Sequence, residues 1–201
     1  MGTRRTHPIP LPYMGRLPLN RAQTSKDTSN ATNMKHDNME ELLPLVDEEG
    51  NVVGKATRGE CHGGTRPLHP VVHLHVFNSQ GELFLQKRPD WKDIQPGRWD
   101  TAVGGHVDWG ESIEEALARE VREEIGLTNF TPQFLGRYVF ESNRERELVH
   151  VFTTRTHAKP KISEEVADGR FFSRTDILDL MQMGFFTPNF EQEWLRFFGN
   201  D

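Results

Sequence analysis

Glu120, Glu123 and Glu124 stand close together in a stretch, Ser112 to Gly126, that carries the local signals of a helix. Ser112 and Glu115 have the spacing of a capping box, and Gly126 sits where a helix ends. On a wheel of about 100° per residue with Ile113 at zero, Ala116, Leu117 and Val121 fall near roughly 300°, 40° and 80°. The three glutamates fall near roughly 340°, 280° and 20° on that wheel, so they share the arc of the apolar residues. Glu115, Arg119 and Arg122 occupy the other side. A solvated helix would turn its acids away from the core. Like charges at i, i+4 repel, and carboxylates against a sheet lose hydration without compensation. A divalent cation is the simplest compensation, and oxygen-only ligands favour Mg2+ or Mn2+.

Such a helix needs a sheet to pack on, and the chain is long enough to build one. At 201 residues, 35% hydrophobic and with 13 Phe and 4 Trp, it can fill one ordinary domain plus a tail. No apolar run approaches the ~18 residues of a membrane span. The single cysteine, Cys61, excludes an internal disulfide or a cysteine zinc cage and reads as a buried structural thiol. The expectation is a soluble, cytoplasmic protein with no membrane partner.

Charge divides the chain. Residues 1–38 carry six basic and two acidic side chains, +4; the remainder carries 18 basic and 28 acidic, −10. An acidic body disfavours a nucleic-acid polymer as partner. Pro8, Pro10, Pro12 and Pro18 with many Thr, Asn and Ser predict a disordered tail over residues 1–40, and residues 41–201 form the folded domain.

Within the domain, Leu45–Val53 reads as a hairpin around Glu48-Glu49-Gly50-Asn51. Strands are expected at Val71–Phe77, Leu83–Gln86, Trp99–Val103, Phe134–Phe140, Leu148–Thr154 and Arg170–Phe172. Helices are expected near Thr175–Met181 and Pro188–Phe198, the second with Thr187 as N-cap and Pro188 at its first position. The order predicts an α/β fold, a mixed sheet with helices packed on it.

Gly105, Glu111, Arg119, Glu120, Val121, Glu123, Glu124, Gly126 and Leu127 fill every defined position of G-x5-E-x7-R-E-U-x-E-E-x-G-U. By this box the chain resembles the Nudix hydrolases. The resemblance implies a Nudix α/β/α sandwich and hydrolysis of a diphosphate linked to another moiety. It implies Glu120, Glu123 and Glu124 as metal ligands, and a pair between Arg119 and Glu111 that ties loop to helix. One carboxylate must accept the proton of the attacking water: Glu124 and Glu123 are nearest, and Glu165, in a late loop, is a third candidate.

Phe77-Asn78-Ser79-Gln80-Gly81, Gln86-Lys87-Arg88, Pro96-Gly97-Arg98-Trp99 and Gly105-His106 are similar to the isopentenyl diphosphate isomerase branch of the superfamily. That resemblance implies a second metal site at His62, His69, His106, Glu145 and Glu147, a set suited to Mn2+ or Zn2+ as well as Mg2+. Glu145 and Glu147, if extended, point from one face of a strand. Arg58, Arg88 and Lys92 match the isomerase's diphosphate-binding cations. His73 and His75 match no ligand position and read as strand-face residues. Where the isomerase carries an essential cysteine, this chain has Gly104, and where it has a basic residue on the helix, this chain has Glu120. No tryptophan matches the one near the isomerase's cationic intermediate, although Trp91, Trp99 and Trp109 are candidates to stack on a base.

The expected function is metal-assisted hydrolysis of a phosphoanhydride in a diphosphate-containing small molecule. Isopentenyl diphosphate isomerisation is the first alternative; a non-catalytic nucleotide- or diphosphate-binding regulatory module is the second. A homodimer is the default oligomer.

Overall fold

The computed structural model describes residues 37–199. The order is β1 (Leu42–Val46), β2 (Val52–Thr57), α1 (Arg58–Cys61), β3 (His69–Phe77), β4 (Leu83–Lys87), β5 (Trp99–Asp100), β6 (Val103–His106), α2 (Ile113–Ile125), β7 (Gln133–Glu141), β8 (Arg146–Arg155), β9 (Asp168–Phe172), α3 (Arg174–Leu180) and α4 (Pro188–Phe197). The expected tail lies outside the described residues as far as residue 36. Its last four positions, 37–40, are described and lead into β1, and Asp37 makes ion pairs with the body.

β3 is the centre of the sheet. It runs parallel to β8, His69 opposite Glu147 through to Phe77 opposite Arg155. β6 and β4 pair antiparallel with successive parts of β3, β7 flanks β8, and β9 and β5 flank β4. A strand paired on both edges and covered on both faces is buried along nearly its whole length. Alternation then divides its side chains. Val72, Leu74 and Val76 pack with Ala116, Leu117, Val121 and Ile125 of α2. On the other face, Leu83, Leu85 and Trp99 pack with Ile177 of α3 and Phe190 and Trp194 of α4. The result is the expected three-layer α/β/α sandwich around a mixed sheet.

The long-range pairing redraws one element. Trp99–Val103, expected as one strand, is two: β5 pairs with β4 and β6 with β3. At the break, Thr101 donates its hydroxyl to Leu74 O, and the Asp100 carboxylate accepts from Thr101 N and the Thr187 hydroxyl. Those bonds satisfy groups that leave the ladder. The short helix α1, absent from the sequence reading, is stabilised by a capping box of Thr57 and Glu60. No helix among the described residues is long and apolar enough to cross a membrane.

Candidate metal and diphosphate site

Helix α2 begins at the Ser112–Glu115 capping box and ends at Gly126 in the left-handed region, φ 64°. Its apolar stripe sets its rotation on the sheet, and that rotation directs the carboxylates to one cavity of about 760 Å³ lined by Glu120, Glu123 and Glu124. Glu124 is buried; its Oε2 accepts from Gln86 Nε2 at 3.0 Å and from Gly104 N at 3.2 Å. Burial, reinforced by the charge of Glu120, pushes the Glu124 pKa up to about 8. Burial lifts Glu120 to about 7 against the pull of Arg119. Glu123 is half exposed at the rim. A Cβ at Gly105 would overlap the Glu120 carboxyl, so a side chain at this position would displace Glu120 from where it lines the cavity.

Arg119 holds the box together. Its Nε and Nη2 donate to the two oxygens of Glu111 at 2.9 and 2.8 Å, Nη1 donates to Glu120 at 2.7 Å, and Nη2 reaches His106 O at 3.0 Å. One guanidinium thus ties loop, helix and β6, as a planar fork can and an ammonium cannot.

A second cluster opens on the same cavity. His62 follows α1, His69 opens β3, His106 closes β6 and Glu147 lies in β8 opposite His69. Their ligand atoms lie within 4.8 Å of one another. The His62 and His106 Nε2 atoms are 3.2 Å apart, and the three ring centroids are separated by 5.1 to 5.4 Å. His69 Nδ1 bonds to Pro67 O, leaving its buried Nε2 without a partner among the described residues. An orphaned buried nitrogen is costly unless something completes it, and a cation at this cluster would. Burial depresses the pKa of all three histidines, His62 to about 3, so they are neutral as ligation requires. Burial and then the nearby Glu145 raise Glu147 to about 8.

Glu145 does not join that group. It lies in the turn before β8, its amide bonded to Ser142 Oγ and its carbonyl to Ser142 N, so it lacks the strand alternation expected for it; its side chain lines the cavity. Glu165 also lines the cavity, from an exposed loop. Arg58, Arg88 and Lys92 all line it too, each paired with a carboxylate: Arg58 with Glu41 at 3.1 Å and Asp37 at 3.4 Å, Lys92 with Asp37 at 3.0 Å, and Arg88 with Asp100 at 3.3 Å. Of the three tryptophans considered for stacking, only Trp91 lines the cavity. Trp99 is buried against Phe172 and Phe185, and Trp109 is exposed beside Lys55.

The sequence reading missed Gln86 and Asp37 as site residues. Gln86 falls on the same strand face as Phe84, toward α2, and a polar residue in a buried phase was the available signal. Asp37 left none, because its partners are remote in sequence.

These ionisations fix a stability prediction. Glu120, Glu124, Glu147 and the buried His73, at about 9, bind protons more tightly folded than unfolded. The stability they confer is present at low pH and lost as pH rises through about 7 to 9. The depressed histidines oppose this only below about 6.5. The metal-free protein is therefore expected to melt at progressively lower temperature from pH 6.5 to 9, with Mg2+ or Mn2+ restoring more at pH 8.5 than at 6.5. Melting curves with and without metal measure this; a Tm that rises with pH in the metal-free protein would contradict the ionisations.

Known proteins resemble this chain in sequence and in fold. The NUDIX domain family matches residues 67–191. An isopentenyl-diphosphate Delta-isomerase of Photorhabdus laumondii is 31% identical over 163 residues, covering 77% of this chain and 93% of the relative. An uncharacterized Nudix hydrolase of Pseudomonas aeruginosa is 33% identical over 132 residues, 65% of this chain and 78% of the relative. Among solved structures, the DR0079 protein of Deinococcus radiodurans superimposes with a TM-score of 0.68 at 26% identity, covering 79% of this chain and 99% of that one. A MutT protein of Methanosarcina mazei gives 0.58 at 30% identity, covering 65% and 93%. The family match covers more than half of the chain, including the whole of α2 and its loop: the chain belongs to the Nudix hydrolase superfamily, in its isopentenyl-diphosphate-isomerase-like branch.

Proposed function

We propose that the domain over residues 41–201 hydrolyses a phosphoanhydride bond in a diphosphate-containing small molecule, with Mg2+ or Mn2+ at Glu120, Glu123 and Glu124. The convergence of these carboxylates on the cavity that holds Arg58, Arg88 and Lys92 carries the reading. The donor set is all oxygen and suits a hard cation. A cation held there would supply charge neutralisation for the diphosphate and a lowered pKa for a water. The chain's own groups do the rest. Arg58, Arg88 and Lys92 exchange carboxylate partners for phosphate oxygens and orient the diphosphate. Glu124, its Oε2 fixed by Gln86 and Gly104, is the carboxylate best held to take the proton of the attacking water. Glu123 and Glu165, which also line the cavity, are the other two candidates for that role. His62, His69, His106 and Glu147 would hold a second cation, Mn2+ or Zn2+ being suited to the imidazoles.

Isomerisation is the second reading, favoured by the relatives' names and opposed by Gly104. A Cβ there would lie 3.4 Å from the His73 ring, so the backbone leaves room for a first side-chain carbon; the chain supplies no thiol at that point. Phosphorus NMR of the protein with Mg2+ and a panel of diphosphates that includes isopentenyl diphosphate separates the readings. Release of a monophosphate or phosphate is expected, abolished by EDTA. Isomerised prenyl diphosphate without release would establish the isomerase, and ligand-induced stabilisation without turnover a binding module.

A further inference from the structure

On the β3 face opposite α2, His73 and His75 share one carboxylate. Glu193 of α4 is fully buried; Oε1 accepts from His73 Nδ1 at 2.7 Å and from the Tyr138 hydroxyl at 2.8 Å, and Oε2 bonds to His75 Nε2 at 2.7 Å. A carboxylate without solvent needs donors and a countercharge, and the two imidazoles are the ionisable bases that touch it among the described residues. The two rings differ in what lies beyond them. His75 is sealed, with Nδ1 at 3.3 Å from the Thr101 hydroxyl. His73 lines the cavity, and its Nε2 has no protein partner among the described residues. Gly104 lies beside it without a side chain; a Cβ there would be 3.4 Å from Nε2. Burial alone would depress the His73 pKa, but the Glu193 carboxylate overrides it and lifts it to about 9, which keeps a proton on Nε2 at neutral pH.

Asn189 and Gln192 of α4 line the same cavity, as do the apolar Val71 and Phe140. A prenyl chain placed against Nε2 would strip water from the imidazole N–H and return no hydrogen bond. We propose that His73, fixed by Glu193, donates a hydrogen bond from Nε2 to an oxygen of the moiety beyond the diphosphate, so that the site selects a polar, hydroxyl-bearing substrate over a prenyl diphosphate. The inference rests on the cavity being a diphosphate site. It goes further in assigning His73 to specificity, with Glu193 as its positioning residue.

Titration calorimetry of the full chain with Mg2+ and methylene-bridged, non-hydrolysable analogues of ADP-ribose, UDP-glucose and isopentenyl diphosphate tests it. At least one sugar analogue is expected to bind ~10-fold or more tightly than the isopentenyl analogue, the scale of one charge-assisted hydrogen bond. His73→Ala should erase that preference by weakening the sugar analogue, with the isopentenyl analogue within ~2-fold, since only the former uses the bond. Because the substitution strands Glu193, histidine nitrogen NMR of the unaltered protein gives a second measurement. The His73 Nε2 resonance should shift with the sugar analogue and hold with the isopentenyl one. No sugar preference, a preference that survives His73→Ala, or an unmoved Nε2 resonance would overturn the proposal. Binding with the expected preference but without hydrolysis of the parent compounds would leave it standing and remove the hydrolase reading instead.

Discussion

Glu124→Gln is expected to lower turnover at least ~100-fold, the usual scale for losing a general base or an electrostatic stabiliser. The side chain keeps its size, so the contacts with Gln86 and Gly104 N report on charge more than on shape. Burial raises the Glu124 pKa to about 8, which means the charge is costly in the metal-free protein. The amide removes that cost. The variant should therefore melt no lower than the parent without metal at pH 8, and should gain less from Mg2+. Phosphate release and melting temperature, measured on one preparation, separate this from unfolding. Full activity in Glu124→Gln would take Glu124 out of the mechanism and leave the base to Glu123 or Glu165.

His106→Ala should weaken cation binding at the histidine cluster by ~10-fold or more, since even residues behind the ligands cost about that much. His106 supplies the Nε2 that faces His62 at 3.2 Å, and its backbone carbonyl, bonded to Arg119, survives the substitution. The α2 carboxylates and their Arg119 clamp stay in place. Elemental analysis after loading with Mn2+ or Zn2+ should show the loss of bound metal relative to the parent protein. Unchanged stoichiometry would mean that the histidines are a packed cluster and no ligand set.

Much of α2 was readable in advance because everything that defines it is local. The capping box, the terminal glycine and the phase of Glu120 and Glu124 against Ala116, Leu117 and Val121 lie within one helix, where a 3.6-residue period fixes which side chains share a face. The same logic was available in α4. Glu193 stands between Phe190 and Trp194 on the buried stripe, a carboxylate in the apolar phase, and its partners His73 and His75 sit on one face of β3. Read alone, each passes for a core or surface residue; the pairing appears when α4 is laid on β3. Glu145 shows the opposite case: two residues from Glu147, it matched a strand spacing, but the strand begins at Arg146, and Glu145 reaches the cavity from the turn before it.

The sequence by itself determined the fold class and the helix that carries the acids, while the Arg119–Glu111 pair and the histidine cluster entered through the family resemblance. The helix and its acids rest on periodicity, capping and short spacings, whose energetics are settled within a few turns of chain. Tertiary structure decided the rest. Parallel pairing of β3 with β8 sets Glu147 beside His69, antiparallel pairing with β6 brings in His106, and α1 presents His62. Asp37 reaches Arg58 and Lys92, Glu193 reaches His73, and Trp99–Val103 divides between two partners. Register and long loop closures are set by the burial of the whole core, and no local pattern contains that information.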